Sequence, residues 1–314
     1  MKIVFMGTPE FAVPSLKLLA KTHEVVGVIT APDKPAGRGK KILKSAVKVA
    51  AEELGLHILQ PTNLKDPIFL KELAALEGEL FVVLAFRMLP EQVWAMPPKG
   101  TINLHASLLP DYRGAAPINR AIMNGETKSG LSTFFIEKEI DTGLILEQVE
   151  LAIGPNENAG SLHDRMMDKG AKLLLSTVNN IGAETIDPFP QNDTGNLKTA
   201  PKIFREDCQI DWNLSAAAIH NHIRGLSPYP AAWTIVSGVD YPEQSYKILK
   251  GKIGEFKIAG QNGSLLLTEE LRLFAKCGNG AIEILELQAP GKKKMKTSDF
   301  LRGFRPPIDF RFHK

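Results

Sequence analysis

The chain has 314 residues, of which 44% are hydrophobic and 23% are charged, and a formal net charge of +3. The length favours two domains over one, and the composition is typical of an ordinary soluble globular protein. A membrane protein is excluded because no apolar run approaches the roughly 20 residues that span a bilayer, and the N-terminal MKIVFMGTPEF lacks the long apolar stretch of a signal peptide.

The first half of the chain alternates strand and helix patterns. LFVVLAF at 80–86 is continuously apolar, as expected for a strand that is buried on both faces. This alternation predicts an α/β fold with an open, doubly wound, mostly parallel sheet. The predicted elements are strands at 2–7 and 23–30, a helix at 45–55, a strand at 56–60, a helix around 65–76, and strands at 80–86 and 101–106.

The turn after the first strand, GTPEF, limits what this sheet can bind. It holds one glycine, Gly7, where a dinucleotide fingerprint needs three, and the chain has no Walker A sequence. We expect Thr8 to cap the first helix, with Pro9 at the first helical position. Ligands should still bind beyond the carboxyl ends of the strands, next to residues 86–88 and 103–107.

The pattern changes near residue 184. From there to residue 200 the sequence is rich in proline and polar residues, which is typical of a linker. Short strands separated by turns then run from 232 to about 288 and predict a small barrel. The other elements predicted are a helix near 115–124, a hairpin-like pair of strands at 131–136 and 144–151, and helices around 159–181 and 214–225. We therefore divide the chain into an α/β domain at 1–187, a linker at 188–206 and a smaller OB-like β-barrel domain at 207–314.

Charge is distributed unevenly between the two ends of the chain. Residues 201–314 hold 17 Lys and Arg against 12 Asp and Glu, a net of +5, whereas residues 1–200 have a net of −2. This asymmetry fits a polyanionic partner and fits a merely solvated basic surface about equally well. Cys208 and Cys277 have no CxxC spacing, so we expect no disulfide framework and no metal site, as in a reducing cytoplasm.

The segment NLHASLLPDYRGAAP at 103–117 carries the candidate site. Asn103 and His105 are two residues apart on a predicted strand, so their side chains emerge on the same face. In an acyl transfer, the Asn103 amide and a protonated His105 can each donate a hydrogen bond to the developing oxyanion. A structural Asn and His with satisfied hydrogen bonds is an equal alternative.

Asp141 belongs to a second segment, EIDTGLIL at 139–146. A carboxylate beside His105 would favour the imidazolium and fix the orientation of the ring. On these residues alone, Asp-Thr-Gly more often forms an ordinary tight turn.

Together, NLHASLLPDYRGAAP and EIDTG resemble the formyltransferase family that uses 10-formyltetrahydrofolate, whose catalytic domain is Rossmann-like. The resemblance implies a folate co-substrate, no metal, and Asn103, His105 and Asp141 as the catalytic set. Phe86-Arg87 stands where the family commonly has Tyr-Gly. The folate contacts that the resemblance implies are Ser107, Leu108, Leu109 and Pro110, and the pterin-pocket residues Phe86, Arg87, Met88 and Leu89.

The resemblance covers nearly the whole chain and extends to the acceptor. The basic loop at 31–48, the segments between 209 and 233, and the terminal segment at 287–303 resemble the family members that formylate initiator methionyl-tRNA. We therefore expect initiator methionyl-tRNA as the partner of a monomer that acts in the cytoplasm. The implied tRNA contacts are Arg38, Lys40, Lys41, Lys292, Lys293 and Lys294. A small amine acceptor such as a sugar nucleotide, or a non-enzymatic RNA-binding role on the same core, stays open.

Overall fold

The computed structural model describes residues 1–36, 41–192, 195–304, 306–307 and 309–314. The chain forms two compact units. One comprises Met1–Gly114, Ser129–Leu151 and His163–Thr199, and the other comprises Ala115–Lys128, Ala152–Leu162 and Ala200–Lys314. The domain boundaries drawn from the sequence at 187 and 207 stay a prediction.

Helices and strands follow each other closely up to residue 182. They are β1 (Lys2–Gly7), α1 (Val13–Thr22), β2 (Glu24–Ile29), β3 (Lys34–Ala36), β4 (Lys41–Leu43), α2 (Ala46–Glu53), β5 (Ile58–Leu59), α3 (Pro67–Ala75), β6 (Leu80–Leu84), α4 (Glu91–Trp94), β7 (Thr101–His105), β8 (Arg113–Gly114), α5 (Pro117–Met123), β9 (Lys128–Phe135), β10 (Ile145–Ala152) and α6 (Ala159–Gly182). Most of the first-half elements thus begin and end within two or three residues of their predicted positions.

The sheet of the first unit has the order β10-β9-β7-β6-β1-β2-β5. The pairs from β7 to β5 are all parallel, and β9 runs antiparallel to β7. All five residues of β6 are buried, as its unbroken apolar run predicts for a central parallel strand. The predicted open, doubly wound, mostly parallel sheet is confirmed, with β9 and β10 as an added edge.

The first helix begins differently from the prediction. Thr8 does not cap it: Pro9 precedes a short 3₁₀ helix, Glu10–Ala12, without a side-chain cap, and α1 follows from Val13. Pro9 lacks a side-chain acceptor, so it contributes its fixed φ and its backbone carbonyl, which accepts from the amide of Ala12 at 3.1 Å. The Thr8 carbonyl accepts instead from the amide of Val47, at 3.4 Å.

The remaining elements belong to the second unit, apart from the first residue of β11. Its main sheet is antiparallel, with the order β14-β15-β16-β13-β12-β18, and a bridge between Ser264 and Arg311 joins its two ends into a nearly closed barrel. Trp212, Ile223 and Phe312 are among the side chains that fill it. These elements are β11 (Thr199–Ala200), a 3₁₀ helix (Glu206–Cys208), α7 (Ala216–Leu226), β12 (Ala232–Gly238), β13 (Tyr241–Gly254), β14 (Leu265–Leu267), β15 (Leu273–Lys276), β16 (Ala281–Gln288), β17 (Met295–Lys296), α8 (Thr297–Gly303) and β18 (Arg311–His313).

Candidate active site

Asn103 and His105 lie at the carboxyl end of β7, between β6 and β9. The backbone register pairs Asn103 with Phe134 and His105 with Ser132, so both side chains are on one face of the sheet. His105 is buried and Asn103 is partly exposed. Within the part of the chain that the structure describes, the Asn103 side-chain amide makes no hydrogen bond, which leaves its N–H groups open to a ligand.

The two ring nitrogens of His105 have different neighbours. Nε2 lies 2.8 Å from the backbone carbonyl oxygen of Tyr112. Because a carbonyl can only accept, Nε2 carries the hydrogen and donates it. Nδ1 lies 3.7 Å from Oδ2 of Asp141, and the edge of the ring meets Phe134 at a centroid distance of 6.5 Å. The nitrogen that remains for chemistry is therefore Nδ1.

Asp141 lies in the loop between β9 and β10. Its φ is 56°, a left-handed conformation that Asp tolerates better than most residues because its short side chain can bond locally. Its carboxylate is about 85% buried and accepts a hydrogen bond from the Gly114 amide at 2.9 Å. The sequence left two roles open for Asp141, a tight turn or a carboxylate beside His105. In the structure Asp141 has both.

The SLLP segment is held by hydrogen bonds that use most of its polar atoms. Ser107 Oγ donates to the carbonyl of Asp111 at 2.6 Å. Ser132 Oγ donates to the carbonyl of Ser107 at 2.7 Å and accepts from the amide of Leu109 at 3.0 Å. Leu109 is buried with Phe134, and Leu108 and Pro110 are half-buried. Ser107 and Leu109 therefore shape the loop beside His105, and Leu108 and Pro110 offer surface to a ligand.

The predicted pterin-pocket residues lie after β6, beside a groove of about 590 Å³ lined by 62–65 and 87–92. Arg87 donates from Nη1 to the carbonyl of Thr62 at 2.9 Å and from Nη2 to the carbonyl of Pro61. Burial lowers the pKa of its guanidinium. Met88 is 74% exposed, whereas Leu89 is buried in a core cluster against which Phe86 packs. Arg87 thus fixes the loop, and Met88 faces outward.

Two predicted tRNA contacts, Arg38 and Lys40, lie outside the described residues, and of Lys41 only the backbone in β4 is described. The base of this loop is fixed nearby. Lys48 Nζ lies 2.6 Å from Asp33 Oδ2, and the Gln60 amide donates to Asp33 Oδ1 at 2.9 Å. These hydrogen bonds hold the pKa of Asp33 below its ordinary value. In the second unit, Lys292, Lys293 and Lys294 are consecutive and exposed, in the turn before β17.

One contributor to the site was not predicted from its residue type. Gln191, within the predicted linker, hydrogen-bonds the backbone of the Asp141 loop at two carbonyls. The same segment is fixed to β10 by a pair of backbone hydrogen bonds between Phe189 and Ile145. Its polar composition indicated a linker, and no short motif marks the contact.

A parallel sheet that ends in an Asn and a His beside a turn carboxylate is characteristic of the formyl transferases. Two family models match the chain: Formyl transferase over residues 1–178, and Formyl transferase, C-terminal domain, over residues 202–305. The fold agrees with the N-formyltransferase of Helicobacter canadensis in complex with folinic acid and dTDP-3-aminofucose. That likeness has a TM-score of 0.67 at 22% identity and covers 94% of this chain and 100% of the other.

Relatives with higher sequence identity indicate which formyl transferases this chain resembles most. The methionyl-tRNA formyltransferase of Flavobacterium johnsoniae is 52% identical over 305 residues, 96% of each chain. That of Bacteroides thetaiotaomicron is 48% identical over 310 residues, 97% of this chain and 96% of its own. The chain belongs to the methionyl-tRNA formyltransferase family.

Proposed function

We propose that this protein transfers the formyl group of 10-formyltetrahydrofolate to the α-amino group of methionine on initiator tRNA. The single observation that carries the proposal is the pairing of His105 Nδ1 with the Asp141 carboxylate at 3.7 Å, beside the Asn103 amide, which no described residue bonds. The resulting N-formylmethionyl-tRNA serves translation initiation. Family membership supports the choice of donor and acceptor.

Two side chains stabilise the charge that develops on the formyl oxygen. When the unprotonated amine attacks the formyl carbon, the carbonyl oxygen becomes an oxyanion. The Asn103 amide donates one hydrogen bond to it, and a protonated His105 donates a second from Nδ1, since Nε2 is already bound to Tyr112. Each preorganised donor of this kind is worth roughly 10²–10³ in rate.

Asp141 orients the His105 ring and assists proton transfer. Its carboxylate faces Nδ1 and accepts from Gly114, so it keeps the ring turned toward the reaction. The attacking amine loses a proton and the leaving nitrogen gains one. In this proposal Asp141 holds an ordered water that carries this proton. The formyl transfer is direct and forms no covalent enzyme intermediate.

The residues around the 590 Å³ groove fit a folate co-substrate. Met88 offers apolar surface, and Lys65 offers a cation, which suits a ligand with an aromatic body and an anionic tail. Phe86–Leu89 would hold the pterin end and Ser107–Pro110 would line the loop beside it. The folate, when bound, supplies the formyl group and accepts the proton on its leaving nitrogen.

Positive charge supports the tRNA assignment. Lys292, Lys293 and Lys294 offer three adjacent cations on the barrel unit, and Arg38, Lys40 and Lys41 offer others in the 34–44 segment, which has five basic residues and no acid. Such groups bind phosphates.

No helix within the described ranges is long and apolar enough to cross a membrane. We propose a cytoplasmic monomer.

The decisive experiment is formylation of charged initiator tRNA with 10-formyltetrahydrofolate as the donor. The expected product is N-formylmethionyl-tRNA, measured after alkaline release of formylmethionine. Parallel reactions offer an amino-sugar nucleotide in place of the tRNA. Turnover of the sugar nucleotide alone would contradict the tRNA assignment, and no turnover of either acceptor would favour an RNA-binding protein without catalysis.

A further inference from the structure

Gln191 uses every hydrogen-bonding group of its side chain. Nε2 donates to the backbone carbonyls of Asp141 and Gly143, both at 2.9 Å. Oε1 accepts from Arg113, from Nε at 3.1 Å and from Nη2 at 2.7 Å. A glutamine amide has two N–H donors and one oxygen with two lone pairs. Gln191 therefore uses all four of these groups to join the Asp141 loop to Arg113.

The loop that Gln191 holds has an unusual backbone. Asp141 is left-handed, with a φ of 56°, and such a residue persists where its surroundings fix it. A Cβ at Gly143 would lie 1.8 Å from the carbonyl oxygen of Phe135, so the loop passes tightly against the end of β9. The carbonyls of Asp141 and Gly143 point out of this turn, and Gln191 binds both.

Arg113 and Gly114 also contact this arrangement. The Gly114 amide donates to Asp141 Oδ2 at 2.9 Å, and the neighbouring Arg113 binds Gln191. The Asp141 carboxylate is therefore held directly by the Gly114 backbone, and the Asp141 backbone is held by Gln191. Both contacts therefore constrain Asp141, whose Oδ2 lies 3.7 Å from His105 Nδ1.

We infer that Gln191 is a positioning residue for formyl transfer. By binding the carbonyls of Asp141 and Gly143, it keeps the Asp141 carboxylate beside His105 Nδ1. The inference rests on the proposed function, because it assigns Gln191 to the same reaction. A displacement of about 1 Å at a reacting group can cost about 100-fold in rate, so a residue that touches no substrate can matter this much.

The first test is Gln191→Met, which keeps the length of the side chain and removes all four hydrogen bonds. We expect kcat to fall about 10- to 100-fold, with KM for methionyl-tRNA and for the folate each within about threefold. Gln191→Glu keeps an acceptor for Arg113 and removes both donors, so it should show the same loss. Gln244→Met, a half-buried glutamine of the barrel unit, is the matched control and should keep wild-type kcat.

A second test asks whether Gln191 acts through Asp141. In an Asp141→Asn background, measured in single turnovers with excess enzyme, Gln191→Met should change the rate by less than about twofold, because coupled residues are not additive. A residue with a merely structural role would lower the rate by the same factor in both backgrounds. Equal losses would overturn the inference, as would wild-type kcat in both single variants.

A third readout does not depend on activity. If Gln191 holds Asp141 in place, Gln191→Met should speed hydrogen exchange at the Gly114 amide, which the Asp141 carboxylate binds. Unchanged exchange at Gly114 overturns the positioning role. Faster exchange in a protein whose wild-type form does not formylate methionyl-tRNA would contradict the proposed function and leave the positioning of Asp141 intact.

Discussion

Asn103 differs from the other polar residues of the site because its amide is not committed to the fold. His105 and Asp141 each have a hydrogen-bond partner, whereas no described residue bonds the Asn103 side chain. We predict that Asn103→Ala lowers kcat about 10²–10³-fold, the usual effect of losing one oxyanion donor. Its free energy of unfolding should change by less than about 0.5 kcal/mol, since no hydrogen bond to a described residue is removed.

Turnover at saturating substrates and urea unfolding measure the two parts of this prediction. Asn179→Ala removes an exposed asparagine amide from α6 of the same unit and should leave kcat at the wild-type value. If Asn103→Ala kept full turnover, the amide would not be the oxyanion donor. If the variant were destabilised by more than about 2 kcal/mol, the amide would have a structural partner.

The residues that the sequence did identify share one property: their roles follow from local pattern or from motif. Strand alternation places Asn103 and His105 on one face, and the family resemblance supplies the proposed roles of these two residues and of Asp141 in EIDTG. The roles of Tyr112 and Gln191 follow from neither. Tyr112 binds His105 through its backbone carbonyl, which any residue could supply, and Gln191 lies 50 positions from Asp141. Both contacts depend on how distant segments meet, so residue type alone could not reveal them.

At the scale of single elements, the barrel contains a cross-strand ion pair with consequences for stability. Arg272, just before β15, donates to both carboxylate oxygens of Glu283 on β16, at 2.8 Å each. The Arg272 guanidinium also lies 4.9 Å from the centre of the Phe274 ring. Glu283 is buried while Arg272 remains about half exposed, so this pair is stronger than a surface ion pair and weaker than a fully buried one.

We predict that Glu283→Gln lowers the free energy of unfolding of the barrel unit by about 1–2 kcal/mol at pH 7. Arg272 holds the pKa of Glu283 below its ordinary value of 4.5. A carboxyl with a lowered folded-state pKa contributes its full stability above the unfolded-state pKa and loses it as pH falls through the folded-state pKa. The difference between wild type and variant should therefore shrink below about pH 4.5.

Urea unfolding followed by tryptophan fluorescence, in a Trp94→Phe background, measures this effect. Of the three tryptophans, Trp212 and Trp233 then remain, both in the second unit. Glu269→Gln, at an exposed carboxylate on the turn before β15, is the control and should leave the midpoint unchanged. A difference that stays constant from pH 7 to pH 3 would contradict the role of ionised Glu283.

Most elements could be predicted because their hydrophobic periodicity and their length indicate the same type of secondary structure. β1, β6 and β7 are short apolar runs that occupy the centre of a parallel sheet, and α6 has a sustained helical period. The start of α1 was wrong because Thr8-Pro9 satisfies a helix-capping pattern, yet a 3₁₀ turn intervenes. The antiparallel direction of β9 could not be read from its residues, since alternation carries no information on strand direction.

At the scale of the whole molecule, charge and chemistry are divided along the chain. Asn103, His105 and Asp141 all belong to the unit that starts at Met1, while the net charge of residues 201–314 is +5. Positive charge is thus concentrated in the barrel unit, and the proposed reacting groups all lie in the α/β unit. An acceptor that is a small amine would need no such surface, whereas a tRNA places many phosphates beyond the reacting end.

This division leads to a prediction for Lys292–Lys294, the exposed cluster before β17. Replacing all three by Gln should weaken binding of methionyl-tRNA and reduce the slope of log K against log salt by about 0.7–0.9 for each phosphate that is no longer neutralised. At saturating tRNA, kcat should stay at the wild-type value, because these residues lie outside the unit that holds Asn103, His105 and Asp141. Binding titrations between about 50 and 200 mM salt, at fixed pH, measure the slope.

The control must change the net charge equally, because a general reduction of positive charge also weakens attraction to a polyanion. Three exposed lysines of the α/β unit serve this purpose when replaced together by Gln: Lys21, Lys71 and Lys169. If both triple variants lower the slope equally, the effect comes from net charge and not from phosphate binding at Lys292–Lys294. If only the Lys292–Lys294 variant lowers it, the barrel cluster touches the tRNA backbone, because counterions are released only where phosphates are neutralised.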